Sequence, residues 1–174
     1  MKKKAEEKIK TSDMDMDKLR ELSIEYFNKL GLEDGSFQLE MQKDGDWISL
    51  NLACTNQEDQ GLLIGRNGEG IYALQHILRL MAYRRFGQWT PLVLNIGGFL
   101  EERQQTLEKI ANNLAQKVKF SNTVQELTSF NSAERRIIHM ALKNHPDVST
   151  ESVDSEGGRK LLIKPKQQKQ AVQP

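Results

Sequence analysis

The stretch Ile64-Gly65-Arg66-Asn67-Gly68-Glu69-Gly70-Ile71 constrains this chain more than any other. Two glycines flank two polar residues, between a short apolar segment and the start of a helix. Glycine lets the backbone approach a ligand closely. The N–H groups that open the following helix carry the positive end of its dipole, so a phosphate fits there. Arg66 adds a full charge at the tip. Two other phosphate loops are excluded. A nucleoside-triphosphate loop needs Gly-Lys followed by Ser or Thr, which the sequence lacks. GRNGEG also lacks the spacing of a dinucleotide fingerprint. Gly70 is one glycine more than the turn requires and is expected to loosen the first helical turn.

The periodicity around this turn predicts an α+β unit. Leu19, Leu22, Tyr26, Phe27 and Leu30 recur at helical spacing, behind Asp13, Asp15 and Asp17 and ahead of Gly31. FQLEM and WISLNLA alternate as strands on either side of an Asp44-Gly45 hairpin turn. NQEDQGLLI predicts a helical turn or two. After the glycines, Ile71, Leu74, Leu78, Met81 and Ala82 form one helix face, which Gly87 ends. LVLNI, entered through Pro91, is a continuous apolar run suited to a strand buried on both faces. Leu107, Ile110, Ala111, Leu114 and Val118 mark a further helix. A right-handed crossover through the helices makes the second and third strands parallel. The expected result is a mixed three-stranded sheet with helices on one face.

Charge averages hide local sign. Lys plus Arg is 25 and Asp plus Glu is 24, for a net charge of +1. Residues 11–59 are nevertheless net −8, while 60–100 and 132–174 are each net +3. A polyanion is expected at the latter two. The single Cys54 excludes an intramolecular disulfide framework and fits a reducing cytoplasm. No apolar run is long enough to span a membrane, and MKKKAEEKIK has no apolar stretch behind its lysines, so neither export nor membrane insertion is expected.

The order helix–strand–strand–helix–GxxG–helix–strand resembles a KH domain of type II topology, αββααβ. The resemblance implies that Gly65, Arg66, Asn67 and Gly68 clamp the backbone of about four single-stranded nucleotides. It also implies that Ile64 and Ile71 form the adjoining apolar groove or the core beneath it. On the same helix Tyr72, His76, Arg79 and Tyr83 make a second stripe, a solvated face or a surface for RNA or a partner.

A second unit begins near Asn131, where Asn131 and Glu134 have capping-box spacing. Ile137, Ile138, Ala141 and Leu142 give the helix an apolar face. VSTESV, the turn DSEGG and KLLIK then predict a hairpin. Arg135 and His139 stand one helical turn apart on one face, and both side chains can donate to phosphate oxygens. ERRIIHMAL, VSTES, Gly158-Arg159-Lys160 and LLI together resemble an R-three-H domain, named for its Arg-x-x-x-His motif, which binds single-stranded nucleic acid. Arg159 and Lys160 match the basic positions at the start of its last strand. The DSEGG turn lacks a proline found in many members.

KH followed by R-three-H resembles the bacterial SpoIIIJ-associated (Jag) family over residues 16–165, without the separate N-terminal Jag domain. The expected organisation is a charged flexible arm at 1–15, a KH domain with flanking helix at 16–120, an R-three-H domain at 121–165 and a disordered tail at 166–174. No motif groups Cys54, His76, His139 or His145 for catalysis or metal binding. The expected function is therefore non-enzymatic binding of single-stranded RNA, with single-stranded DNA as a second candidate, in the bacterial cytoplasm and without cofactor, metal or membrane. The alternatives are a ribosome- or assembly-associated RNA-binding factor, or a scaffold in which the KH unit pairs with itself or with another small KH protein.

Overall fold

The computed structural model describes residues 15–166. The expected arm and tail fall outside these residues, save Asp15 and Lys166 at their inner ends. Two compact units divide the chain, one ending at Leu100 and the other beginning at Glu101.

In the first unit, Asp15 caps α1 (Met16–Lys29) by accepting the Lys18 N–H at 3.2 Å. The helix buries Leu19, Tyr26 and Phe27. β1 (Phe37–Asp44) and β2 (Trp47–Cys54) pair antiparallel around Gly45, whose φ of 58° is a conformation that a tight hairpin turn requires and glycine adopts freely. Two helices, α2 (Gln57–Ile64) and α3 (Glu69–Phe86), then carry the chain to β3 (Leu92–Ile96), which lies parallel to β2 with Leu50 opposite Leu94 and Leu52 opposite Ile96. The order αββααβ and the mixed β1-β2-β3 sheet are those expected of a type II KH arrangement.

Alternation within the strands decides which face is dry. Ile48, Leu50, Leu52, Leu92, Leu94 and Ile96 pack with Leu19, Phe27, Ile71, Leu78 and Ala82 in one core. Ser49, Asn51, Val93 and Asn95 on the other face stay half-exposed. The expectation that β3 is buried on both faces is thus corrected. Helices cover the sheet on one side only, so its apolar run alternates in exposure like any half-covered strand.

The second unit is built on α4 (Phe99–Ser121), which begins eight residues before its first buried leucine at Leu107. Leu107, Ala111, Ala115 and Val118 lie in a core with Ile138, Leu142, Val148, Leu161 and Ile163. The sequence groups this helix with the first unit, whereas its buried face belongs to the second core. α5 (Ser132–Leu142) opens with the expected capping box. Asn131 Oδ1 accepts the Glu134 N–H, and Glu134 Oε2 accepts the Asn131 N–H, each at 3.0 Å. The expected hairpin forms from β5 (Val148–Ser155) and β6 (Gly158–Pro165). A short strand that the sequence did not suggest, β4 (Gln125–Leu127), adds to the other side of β6 and gives the order β4-β6-β5. Its three residues are too few to show a period.

Both tryptophans, Trp47 and Trp89, lie in the first unit. Leu50→Ala should therefore be readable by tryptophan fluorescence in a denaturant titration. The lost side chain is fully buried, and we expect a loss of about 2–5 kcal/mol. An unchanged midpoint would contradict the central place of Leu50 in this core.

Candidate nucleic-acid interface

The glycine turn is shaped by how closely α2 and α3 approach. Gly65 has φ 69° and follows the last residue of α2. A Cβ there would stand 2.8 Å from the Gly70 nitrogen. A Cβ on Gly70 would stand 2.5 Å from the Leu63 carbonyl oxygen and 2.9 Å from that of Ile64. Gly70 is therefore not a loosening of the helix, as the sequence suggested. It is the position that lets the end of α2 rest on the first turn of α3. Between them Arg66–Gly68 form a single 3-10 turn with Asn67 at φ 52°. The turn carries Arg66 and Asn67 outward, both exposed, while Gly68 is buried.

Gly68 is held from beneath. A Cβ there would fall 2.6 Å from the Phe99 ring and 3.4 Å from that of Tyr72. Gly68, at φ 80°, is also the residue before α3, and no side chain caps the helix there. The first amides of α3 thus lack the side-chain acceptor that most helix starts supply. Of the two apolar residues framing the loop, Ile64 is half-buried and Ile71 is 1% exposed. Ile71 consequently supports the loop from the core.

The expected stripe along α3 does not hold together as one surface. Tyr72 sits under Gly68, and Arg79 turns back to donate through Nε to the Leu92 carbonyl at 2.8 Å. Gln75 Oε1 accepts the Leu94 N–H at 2.9 Å, so both side chains cover the free edge of β3. Partial burial lowers the Arg79 guanidinium from its ordinary pKa. His76 and Tyr83 remain exposed, with Tyr83 beside Trp89 at a ring separation of 6.4 Å.

In the second unit, Arg135 and His139 leave α5 on the same side and meet the hairpin. Arg135 Nη1 donates to the Phe130 carbonyl at 2.6 Å and reaches the Arg159 carbonyl at 3.5 Å. His139 Nδ1 lies 2.6 Å from Thr150 Oγ1, which fixes the ring and leaves Nε2 for another partner. The Arg159 side chain is exposed, 3.7 Å from Asp154. Its strand neighbours Leu161 and Ile163 point into the core, so Arg159 lies on the helix side of the sheet. Lys160 lies on the opposite side and pairs with Glu126 at 2.7 Å. The structure therefore puts Arg135, His139 and Arg159 on the helix side of the sheet, with Arg135 reaching the Arg159 carbonyl, and sets Lys160 on the other side. Sequence reasoning missed Phe99, Thr150 and the Phe130 carbonyl. Phe99 and Thr150 are brought into contact by tertiary folding, and the Phe130 carbonyl, five residues before Arg135, carries no side-chain pattern that signals it.

Residues 105–165 match the R-three-H domain family. The chain is 36% identical over 106 residues to a Clostridium symbiosum protein named RNA-binding protein KhpB, covering 61% of this chain and 48% of that one. KhpB of Lactiplantibacillus plantarum is 30% identical over 117 residues (67% and 35%), and that of Bacillus subtilis is 30% identical over 108 (61% and 52%). The chain is a relative of the KhpB proteins and carries an R-three-H domain. The expected kinship with the Jag family stands. The chain spans about half the length of these relatives or less. The R-three-H match takes in α5, the Arg135–His139 pair and both strands of the hairpin. Among the described residues no helix is long and apolar enough to cross a membrane, and no group of three or more His, Cys, Asp or Glu is placed to hold a metal ion.

The close approach at Gly70 yields a paired test. Gly70→Ala places a methyl group against two carbonyls and should destabilise the first unit by about 1–3 kcal/mol. Gly61→Ala in α2 meets nothing within 4 Å and should stabilise by about 0.5–1 kcal/mol. Thermal melts of the two variants should move in opposite directions. Equal shifts would mean that α2 does not rest on α3 as described.

Proposed function

We propose that this chain is a binding protein for single-stranded RNA, with a backbone clamp at Gly65–Gly68 and a second phosphate-binding face at Arg135, His139 and Arg159. The observation that carries the reading is the turn itself. An exposed cation and an exposed amide stand on a glycine-built loop, at the start of a helix that no side chain caps. Those are the elements that hold a sugar–phosphate backbone. The KhpB relatives are named RNA-binding proteins. The second face supports the reading through donors on rigid elements, because Thr150 and Phe130 restrain the His139 and Arg135 heads. Binding rather than catalysis fits the residues at hand. Cys54 is half-buried, and burial, with Asp59 nearby, pushes its thiol up, away from nucleophilic character.

Two weak sites on one chain raise each other's effective concentration for any RNA long enough to meet both. A protein contact is a second reading with its own observation. Ile77, Leu80 and Tyr83 on α3, with Trp89 beside them, are 46–54% exposed. Such an apolar strip suits self-association or a small KH-type partner. Light scattering with and without oligonucleotide distinguishes it from RNA binding.

Arg66→Asp with Asn67→Asp should reduce affinity for a single-stranded oligonucleotide at least about tenfold, because two carboxylates then stand where phosphate binds. Both side chains are exposed, so the circular dichroism spectrum should not change. Undiminished binding by the folded variant would refute the clamp. Arg135→Ala with His139→Ala should weaken a long RNA strongly and a four-nucleotide RNA little, since the short ligand fills only the clamp. Equal weakening of both would show that the Arg–His face is not a separate site.

A further inference from the structure

Glu134 is 2% exposed, although it is a carboxylate on a surface helix. A buried carboxylate needs partners for its oxygens, and here each oxygen has one. Oε1 accepts Arg103 Nε at 2.8 Å, and Oε2 accepts the Asn131 N–H at 3.0 Å. Arg103 is itself mostly covered, with a side chain 16% exposed. One carboxylate thus ties α4 to the segment that enters α5. The residue before Asn131 is Phe130, whose carbonyl holds the Arg135 head at 2.6 Å. The other acceptor of Arg135, the Arg159 carbonyl, is at 3.5 Å and holds it weakly.

We propose that Arg103 is a positioning residue for nucleic-acid binding, acting through Glu134 and the Phe130–Asn131 segment on the Arg135 guanidinium. Arg103 lies two residues before the stretch that matches the R-three-H family, so the working domain extends further into α4 than the match does. Without Arg103, Glu134 is a buried charge with one partner. It must then take up a proton or turn towards water, and either change weakens its hold on the Asn131 N–H. The Phe130 carbonyl is then free to move, and Arg135 loses the acceptor that aims it. The inference rests on the reading that Arg135 contacts phosphate.

The test is fluorescence anisotropy of the full chain with a labelled single-stranded RNA long enough for both surfaces. Arg103→Met should weaken binding about five- to tenfold while the circular dichroism spectrum is kept. It should also lower the slope of log affinity against log salt by about 0.7, the value for one phosphate contact on a single strand. Arg103→Lys should restore most of the loss, because the contact is a single charge-assisted bond that an ammonium can make. In an Arg135→Ala background, Arg103→Met should cost nothing more. Should Arg103→Met fail to fold, Arg103→Met with Glu134→Ala removes the stranded charge and is expected to show the same weakening. Wild-type affinity in a folded variant, or a loss that adds fully to that of Arg135→Ala, would overturn the proposal. If Arg135→Ala itself leaves affinity unchanged, the phosphate-binding reading fails and the positioning role falls with it. If Arg135→Ala weakens binding and the Arg103 variants do not, only the positioning role fails.

Discussion

The first unit depends on one steric constraint, the contact between the end of α2 and the first turn of α3. Neither Gly65 nor Gly70 leaves room for a Cβ. Because the helices touch there, the residues between them cannot continue either helix. They are forced into a single tight turn that leaves Arg66 and Asn67 outside. The same contact limits what the turn is made of. Gly65 and Gly68 both take positive φ, and Asn67 joins them in the left-handed region that asparagine tolerates better than most residues. Phe99 and Tyr72 then fill the space below Gly68. The shape of the loop is thus set by steric contact.

The second unit solves a similar problem with polar contacts. Its candidate ligand-binding donors sit on long side chains that would wave freely on an isolated helix. Arg135 is restrained by backbone carbonyls, and His139 by the Thr150 hydroxyl. Restraint reduces the entropy lost on binding. It also occupies part of each donor, so Arg135 has only its remaining N–H groups, and His139 only one ring nitrogen, to offer a ligand. β6 distributes the remaining cations by the two-residue period of a strand. Arg159 joins this face, whereas Lys160 and Lys164 pair with Glu126 and Glu151 on the other. A run of basic residues in sequence is therefore not a basic patch in space.

Much of the fold is legible because its signals are local and periodic. The Asp44-Gly45 hairpin, the Asn131–Glu134 capping box and the apolar faces of α1, α3 and α5 each rest on residues within one or two turns of each other. The parallel β2–β3 pairing follows from the handedness of crossovers. What is not legible depends on contacts between one element and the next, made only when the chain folds back. Gly70 reads as a weak helix start until the Leu63 and Ile64 carbonyls are seen against it. Arg79 reads as a surface cation until it meets the Leu92 carbonyl. The face of β3 that is left uncovered depends on how many layers of helix the sheet receives, which no residue of LVLNI reports.

Local charge adds a last constraint within the first unit. Asp17, Glu21 and Glu25 on α1, Glu33 and Asp34 in the loop after it, and Glu40 on β1 are all exposed. Lys18, Arg20 and Lys29 are exposed on the same helix, and Lys29 pairs with Glu25, so the surplus of negative charge along α1 is small and is screened by salt. At the loop Arg66 and Glu69 are both exposed, Arg66 on the turn and Glu69 in the first turn of α3, whose dipole is positive outward. On the reading that the α2–α3 turn binds phosphate, the attraction there comes from Arg66 and the uncapped amides of α3 rather than from the charge of the whole unit. The near-zero net charge of the whole chain is thus compatible with directed approach, because the sign at the point of contact governs association and the average does not.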